Sequence, residues 1–354
     1  MKSNAKFKIN IAGHNIGCAQ PTYIIAELSA NHNHDFDQAV KLIKAAKEAG
    51  ADSIKLQTYT PDTITIDCDN EFFRISKGTI WEGKNLYDLY KAAYTPWEWQ
   101  PKLKNIANDL GMELFSTPFD KTAVDFLEGM NVPVYKIASF ELVDISLIQY
   151  VAKTGKPIIM STGMATLAEI DEAVTTAREA GCKEIALLKC TSAYPAAPED
   201  MNLKTIPHLS QAFGLPVGLS DHSLGIPVAV AAVTLGACIV EKHFTLSRTI
   251  AGPDSAFSLE PHEFKAMVDS IRMVEKACGT VSYEPTDHEA ISRIFRRSLF
   301  VIKDMEAGEE ITRENVRSIR PGYGLHPRYI ETVYGRRAKR AINRGTPLSW
   351  DMFS

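Results

Sequence analysis

The sequence predicts an α/β fold, a TIM-type (β/α)₈ barrel followed by a small β-rich domain, and three observations predict it. Eight apolar, strand-like runs each pass into polar or charged residues at their C-terminal end: 23–30, 53–59, 113–119, 134–141, 157–163, 185–194, 219–223 and 240–244. Most are separated by segments of helical apolar spacing that end on glycine, at Gly50, Gly111, Gly155, Gly181 and Gly236. The repeated helix, glycine, strand rhythm is what a parallel α/β sheet requires. Finally, 354 residues hold a barrel of about 250 residues and leave room for a further module.

Residues 7–20 alternate around Gly13-His14-Asn15, which predicts a hairpin ahead of the first barrel strand, closing the barrel floor. The segment from Asp37 to Gly50 has helical apolar spacing, an acidic start and a terminal glycine, and predicts the first helix. Residues 60–95 break the rhythm between the second and third strands. An insertion there, on the carboxyl side of a strand, is a candidate lid over the barrel mouth or a plain surface excursion. The apolar stretch from Ile226 to Val240 falls short of the roughly 20 residues of a membrane span and reads as a helix running into a strand.

The barrel is expected to occupy residues 1–282, with a polar linker at 283–293 and a second domain at 294–354. The two halves of that domain echo one another. Gly308-Glu309-Glu310-Ile311-Thr312 with Val316 has the layout of Gly345-Thr346-Pro347-Leu348-Ser349 with Phe353. Two similar β-turn units in so short a module predict a β-rich fold that docks on a barrel, because a core this small seldom suffices alone.

A net charge of −4 and a pI near 6.2 argue against a nucleic-acid partner, which a basic surface would serve. The six cysteines are scattered with no C-x-x-C pair, and they read as buried free thiols of a reducing cytoplasm. The N-terminus lacks the apolar core of a secretion signal, which also points to the cytoplasm and away from a membrane. No G-x-G-x-x-G opens a helix after the first strand, and neither a Walker lysine nor a G-x-S-x-G elbow is present. No nucleotide cofactor is therefore expected.

The strand ends carry the chemistry. Lys55 and Lys136 sit inside apolar strands, where an ammonium is costly to bury unless it meets an anion. One such lysine is accounted for by a neighbouring glutamate. Two of them, among hydroxyl residues such as Thr117, Ser139, Ser192 and Ser220, are better explained by a bound phosphate. His222 and His243 fall at matching depth on the seventh and eighth strands. A lone strand histidine is usually a satisfied core residue, but two at one depth could share a divalent metal and leave positions open for water and a substrate oxygen. A Schiff-base lysine among Lys55, Lys136, Lys189 and Lys242 stays open as an alternative.

Taken together, Ile25-Ala26-Glu27 through Asn31-His32, Lys55-Leu56-Gln57-Thr58, Ser116-Thr117-Pro118-Phe119, Lys136-Ile137-Ala138-Ser139, Ser161-Thr162-Gly163-Met164, Ser220-Asp221-His222, Glu241-Lys242-His243-Phe244 and Gly252-Pro253-Asp254 resemble the sialic acid (N-acetylneuraminate) synthase family. The likeness runs nearly end to end, since the tail resembles that family's antifreeze-like (SAF, β-clip) domain. Glu27-Leu28-Ser29-Ala30-Asn31-His32, Leu188 through Pro195 and Arg320 through Pro327 lean toward its pseudaminic acid branch. One departure is His34, where the family often has glycine.

The resemblance implies condensation of phosphoenolpyruvate with an open-chain amino sugar, 2,4-diacetamido-2,4,6-trideoxy-L-altrose in this branch, giving a nonulosonic acid and phosphate. N-acetylneuraminate or legionaminic acid synthesis is the same chemistry on another sugar. Carried over residue by residue, it implies Mn²⁺ or Mg²⁺ on His222 and His243, with phosphoenolpyruvate on Lys55, Thr117, Lys136, Ser139, Ser192 and Ser220. Gln57, Tyr194 and Asp254 would face the sugar, and Glu241 its aldehyde end. Glu27 is the first candidate to orient or deprotonate the attacking water and Glu241 the second, although simple pairing with Lys55 equally accounts for Glu27 at rest. The resemblance also implies a domain-swapped homodimer in which Arg320 reaches the sugar in a partner's barrel.

Overall fold

The computed structural model describes residues 7–75 and 80–354, which divide into two compact units, Met1–Gly279 and Thr280–Ser354. The first opens with an antiparallel hairpin of β1 (Lys8–Ile11) and β2 (His14–Gly17). Eight parallel strands follow and close on themselves: β3 (Tyr23–Glu27), β4 (Ser53–Thr58), β5 (Glu113–Pro118), β6 (Tyr135–Ile137), β7 (Ile158–Ser161), β8 (Ile185–Cys190), β9 (Val217–Asp221) and β10 (Ile239–His243), with β10 pairing β3.

The side-chain period of two divides each strand between barrel interior and helix layer. Ile24, Ala26, Ile54, Leu56, Leu114 and Val240 face outward, against Leu42 and Ile43 of the helix Phe36–Glu48, Leu103 of Gln100–Asp109 and Phe264 of Pro261–Cys278. Inside, Gly218 admits no side chain, because a Cβ there would lie 2.4 Å from the Ile239 carbonyl oxygen and 2.7 Å from Leu188 Cδ2. The hairpin closes the floor as expected. Ile9, Ile11 and Ile16 are buried in one cluster with Tyr23 and Ile25, and the Asn10 amide donates to Glu184 just before β8.

The first helix is capped by the Asp35 carboxylate, which accepts from the amides of Asp37 and Gln38, and ends ahead of Gly50 at φ +92°. The apolar stretch 226–240 resolves into the helix Pro227–Thr234 and strand β10. No helix of the described residues is long and apolar enough to cross a membrane.

Three expectations need correcting. Cys278 is exposed while Cys182, Cys190 and Cys238 are buried, so the thiols are not uniformly core residues. The polar stretch at 283–293 carries a helix, Asp287–Ser292, held by a reciprocal Thr286–Glu289 capping box that was present in the sequence. The fourth barrel strand is only three residues long, because from Ala138 on the chain leaves the sheet in a turn.

The second unit is β-rich in the sense expected. β11 (Ser298–Val301) pairs with β12 (Val316–Ile319), and isolated bridges join Met305 to Ile342 and Ala338 to Phe353. Its internal echo is structural. Gly308 and Gly345 both adopt φ +85°, and each is followed by a fully buried apolar residue, Ile311 and Leu348.

Candidate active site

Register assembles the site. Glu27 is opposite Lys55 on β4 and opposite His243 on β10, Gln57 is opposite Thr117, and Glu241 is opposite Ser220. These residues share the inward phase and lie toward the C-terminal ends of β3, β4, β5, β9 and β10, which brings them to one mouth of the barrel.

At its centre lie four charges, each at least nine-tenths buried. Lys55 Nζ is 2.7 Å from Glu27 Oε2 and 3.7 Å from Glu241 Oε1, and Lys136 Nζ is 3.4 Å from that same Glu241 oxygen. Lys55 also donates to Thr117 Oγ1 at 3.3 Å, and Ser220 donates to Glu241 at 3.1 Å. Burial dominates Glu27 and lifts its carboxyl to about 7, with Lys55 pulling down and Glu241 pushing up. Burial acts the same way on Glu241, but Lys136 and Lys55 together outweigh it and hold that carboxyl low. Lys136 loses more to burial than its one close carboxylate returns, so its ammonium is easier to deprotonate than usual. Lys55, also buried, has two carboxylates and is held above its ordinary value.

Beside this tetrad the Ser139 and Ser192 hydroxyls meet at 2.8 Å. Gly163 makes room for them, since a Cβ there would fall 2.3 Å from Ser139 Cβ and 2.7 Å from Ser192 Oγ. Ser161, on β7, is buried and its hydroxyl has no hydrogen-bond partner among the described residues.

The two imidazoles stand with ring centroids 5.4 Å apart. His222 Nδ1 is bonded to the Thr191 carbonyl at 2.9 Å, which fixes that ring and leaves Nε2 available. His243 Nδ1 is buried without a partner among the described residues. Burial depresses His243 well below an ordinary histidine, with His222 adding to the effect; on His222 burial is outweighed chiefly by Cys190, which raises it. Two imidazoles this close suit a divalent cation, and His222 has the fixed second nitrogen that a ligating histidine usually has. Among the described residues no group of three His, Cys, Asp or Glu side chains is arranged around a metal. A cation here would rest on these two imidazoles and on oxygens from water or substrate.

Aromatic rings wall the imidazole pair. Tyr194 lies 4.3 Å from the His222 ring, Phe257 4.9 Å from the His243 ring, and Trp81 5.5 Å from Tyr194. Trp81 belongs to the insertion and donates its indole N–H to the Pro253 carbonyl, so the insertion does reach over the mouth; its residues 76–79 lie outside the described residues. Gln57 donates to Glu27 and to Ser29, and Ser29 in turn donates to the buried Asp254.

All the predicted barrel residues thus converge: Glu27, Lys55, Gln57, Thr117, Lys136, Ser139, Ser192, Tyr194, Ser220, His222, Glu241, His243 and Asp254. Arg320 is an exposed residue of the second unit. Lys242 belongs elsewhere. It is one residue out of phase with Glu241 and His243, and is sealed in a fully buried ion pair with Asp221 at 2.7 Å on the helix side of the sheet. Lys189 bonds to the Cys190 carbonyl and Thr191 instead of entering the mouth.

Several contributors escaped the sequence reading. Ser29, Cys190 and Phe257 look like ordinary loop or core residues, and Trp81 sits in unpatterned sequence. Glu141, by contrast, is among the polar residues that end the 134–141 run in sequence: one of its oxygens is buried without a hydrogen-bond partner among the described residues, and burial lifts its carboxyl to about 7. His34 adopts φ +54°, which explains the preference for glycine there, and its ring packs edge-on to Tyr94 at 4.9 Å.

Comparison with known proteins shows the family. Residues 42–283 match the NeuB family and residues 296–354 the SAF domain. The chain is 46% identical to a pseudaminic acid synthase of Helicobacter pylori over 94% of this chain and 98% of that one. It is 38% identical to an N,N'-diacetyllegionaminic acid synthase of Legionella pneumophila, over 95% of each. The crystal structure of an N-acetylneuraminic acid (sialic acid) synthetase from Leptospira borgpetersenii in complex with citrate superposes with a TM-score of 0.72 at 32% identity, covering 80% of this chain and 94% of that one.

Proposed function

We propose that this chain, which belongs to the NeuB family, condenses phosphoenolpyruvate with 2,4-diacetamido-2,4,6-trideoxy-L-altrose and water to give pseudaminic acid and phosphate. The observation that carries the reading is the pairing of two buried ammonium groups with two imidazoles at one barrel mouth, in a chain 46% identical to a pseudaminic acid synthase.

In this reading Lys55 and Lys136, with Thr117, Ser139, Ser192 and Ser220, receive the phosphate and carboxylate of phosphoenolpyruvate. His222 and His243 fit a divalent cation, Mn²⁺ or Mg²⁺, which when bound would polarise the sugar's aldehyde oxygen. Gln57, Tyr194 and Asp254 hold the open-chain sugar so that its aldehyde carbon faces carbon 3 of phosphoenolpyruvate. The new carbon–carbon bond leaves positive charge at carbon 2. The Glu241 carboxylate, held ionised by the two lysines, is within the same cluster to stabilise that charge. Water then adds to carbon 2, and Glu27 takes its proton; a carboxyl lifted to about 7 is a better base at neutral pH than an ordinary glutamate. Collapse of the tetrahedral centre breaks the carbon–oxygen bond and releases phosphate beside Lys55 and Lys136.

The enzyme is further proposed to be a cytoplasmic homodimer with exchanged SAF domains, in which Arg320 contacts the sugar of the partner's site. The test of the substrate is a panel. Purified protein is given phosphoenolpyruvate with the altrose derivative, N-acetylmannosamine or the legionaminic acid precursor, and phosphate release is followed. The fastest turnover is expected with the altrose derivative. Preference for either other sugar would overturn the assignment and leave the chemistry standing.

A further inference from the structure

We infer that Ser29 is a positioning residue that fixes which way the Gln57 carboxamide faces, and so makes Gln57 an acceptor of a hydrogen bond from the sugar. This rests on the proposed function above, and it begins from a backbone anomaly. Ser29 is buried and adopts φ +43°, a left-handed conformation that disfavours residues with a side chain. Glycine would hold that turn with less strain, so the hydroxyl is retained against the local preference. Strain of this kind collects at working sites, where the surroundings hold it in place.

The hydrogen bonds say what the hydroxyl does. Gln57 Nε2 lies 2.9 Å from Glu27 Oε1 and 2.9 Å from Ser29 Oγ. An ionised carboxylate can only accept, so the nitrogen end of the carboxamide must face Glu27 whenever Glu27 is charged. Ser29 has one proton, and it goes to Asp254 Oδ2. The Ser29 oxygen is thereby turned to accept the second Gln57 proton. Both donors of the carboxamide are consumed within the protein, and its oxygen is the atom left to receive a hydroxyl or acetamido N–H from substrate. The same serine ties the Gln57 amide to Asp254, so two groups assigned to the sugar are set by one side chain.

Without that hydroxyl, Gln57 keeps its bond to Glu27 but loses the second anchor, and Asp254 loses a donor. The effect should fall on sugar binding and spare phosphoenolpyruvate, whose lysines Ser29 does not touch. Ser29→Ala and Ser29→Gly separate the hydroxyl from the backbone. Alanine removes the hydroxyl and keeps the strain, whereas glycine removes both. Steady-state kinetics should show the sugar KM rising about tenfold in both variants, the size expected for losing one such bond. The phosphoenolpyruvate KM should stay within about twofold, and Ser29→Gly should melt no lower than Ser29→Ala, because both lose the hydroxyl and only glycine relieves the left-handed strain. A double-mutant cycle with Gln57→Ala should be strongly non-additive for sugar KM. Ser29→Gly with unaltered sugar KM would overturn the inference, as would an equal rise in both KM values or an additive cycle. If the unaltered protein turned over none of the three sugars, the proposed function itself would fail, which is a separate result.

Discussion

Replacing Glu27 with glutamine tests the electrostatics of the site in two independent ways. The carboxyl is raised from 4.5 to about 7, with burial as the leading cause. In the unfolded chain the proton leaves near pH 4.5, while in the folded chain it is held to about 7. Between those values the folded state binds the extra proton, so Glu27 makes stability fall as pH rises through that window and level off above it. The shift corresponds to about 3 kcal/mol. Glutamine is nearly isosteric, keeps a group beside Lys55 and Gln57, and does not titrate. Urea denaturation of both proteins at half-unit steps from pH 5 to 8 should therefore show Glu27→Gln gaining on the unaltered protein as pH rises, by up to about 3 kcal/mol. Using the difference cancels the titrating groups that do not act on Glu27, including Glu141, which acts in the same direction, and His32, whose depressed value of about 4 acts in the opposite one; Lys55 and Glu241, which do act on it, are shifted away from this window. Activity should move the other way. With no carboxylate to take the proton from water, turnover should drop by at least about a hundredfold, in the range general-base removal gives. The acid limb of the pH profile near 7 should disappear from whatever residual rate survives. A stability difference that is flat between pH 5 and 8, or a Glu27→Gln enzyme with half its activity, would refute the reasoning.

Lys136→Met removes the nearer of the two cations that Glu241 shares. Phosphoenolpyruvate affinity by calorimetry should fall roughly a hundredfold, because breaking a buried charge pair leaves its partner uncompensated; unchanged affinity would remove Lys136 from the phosphate site. A protein ending near residue 285 should keep the barrel's circular dichroism and lose turnover if Arg320 contributes to the site. Full activity in that truncated barrel would exclude the domain exchange.

The barrel was legible because two periods wrote it twice. Strands announced themselves by apolar runs, and helices by stops such as Gly50 and Gly111, both of which adopt positive φ. The charged centre was legible for a related reason: a lysine within a strand as apolar as residues 53–58 has no cheap place to go except the mouth. That rule does not separate Lys55 from Lys242, though. Both are lysines in apolar strands, and only the inward or outward phase, fixed by register, sends one to the mouth and the other to Asp221. Ser29 was hidden because a left-handed φ at a non-glycine residue leaves no mark in sequence. Trp81 was hidden because the insertion has no period, and Phe257 because an aromatic near a strand reads as core. The helix Asp287–Ser292 was readable from its capping box and was obscured by the polar composition around it.

Charge balance ties the lysines to the histidines. At pH 8 the buried carboxylates of Glu27 and Glu241 offset the ammonium groups of Lys55 and Lys136, and the depressed His243 adds no charge. A phosphoenolpyruvate anion entering this neutral, enclosed cluster would leave several uncompensated negative charges in a medium that screens them poorly. A divalent cation on His222 and His243 restores most of the balance, so the two ligands should bind cooperatively. Phosphoenolpyruvate affinity measured at pH 8 with Mn²⁺ should exceed that in EDTA by at least about tenfold, and Mn²⁺ affinity should rise by the same factor when phosphoenolpyruvate is present, as linkage requires. His243→Ala should abolish the coupling in both directions while Lys55 and Lys136 still confer weak anion binding. Proton and metal compete for the same imidazoles, and on His222 burial is outweighed by Cys190 in favour of the proton, so Mn²⁺ affinity should also climb with pH. Equal phosphoenolpyruvate affinity with and without metal would mean that the imidazole pair and the lysine pair serve different ligands, and the shared-site reading would fall.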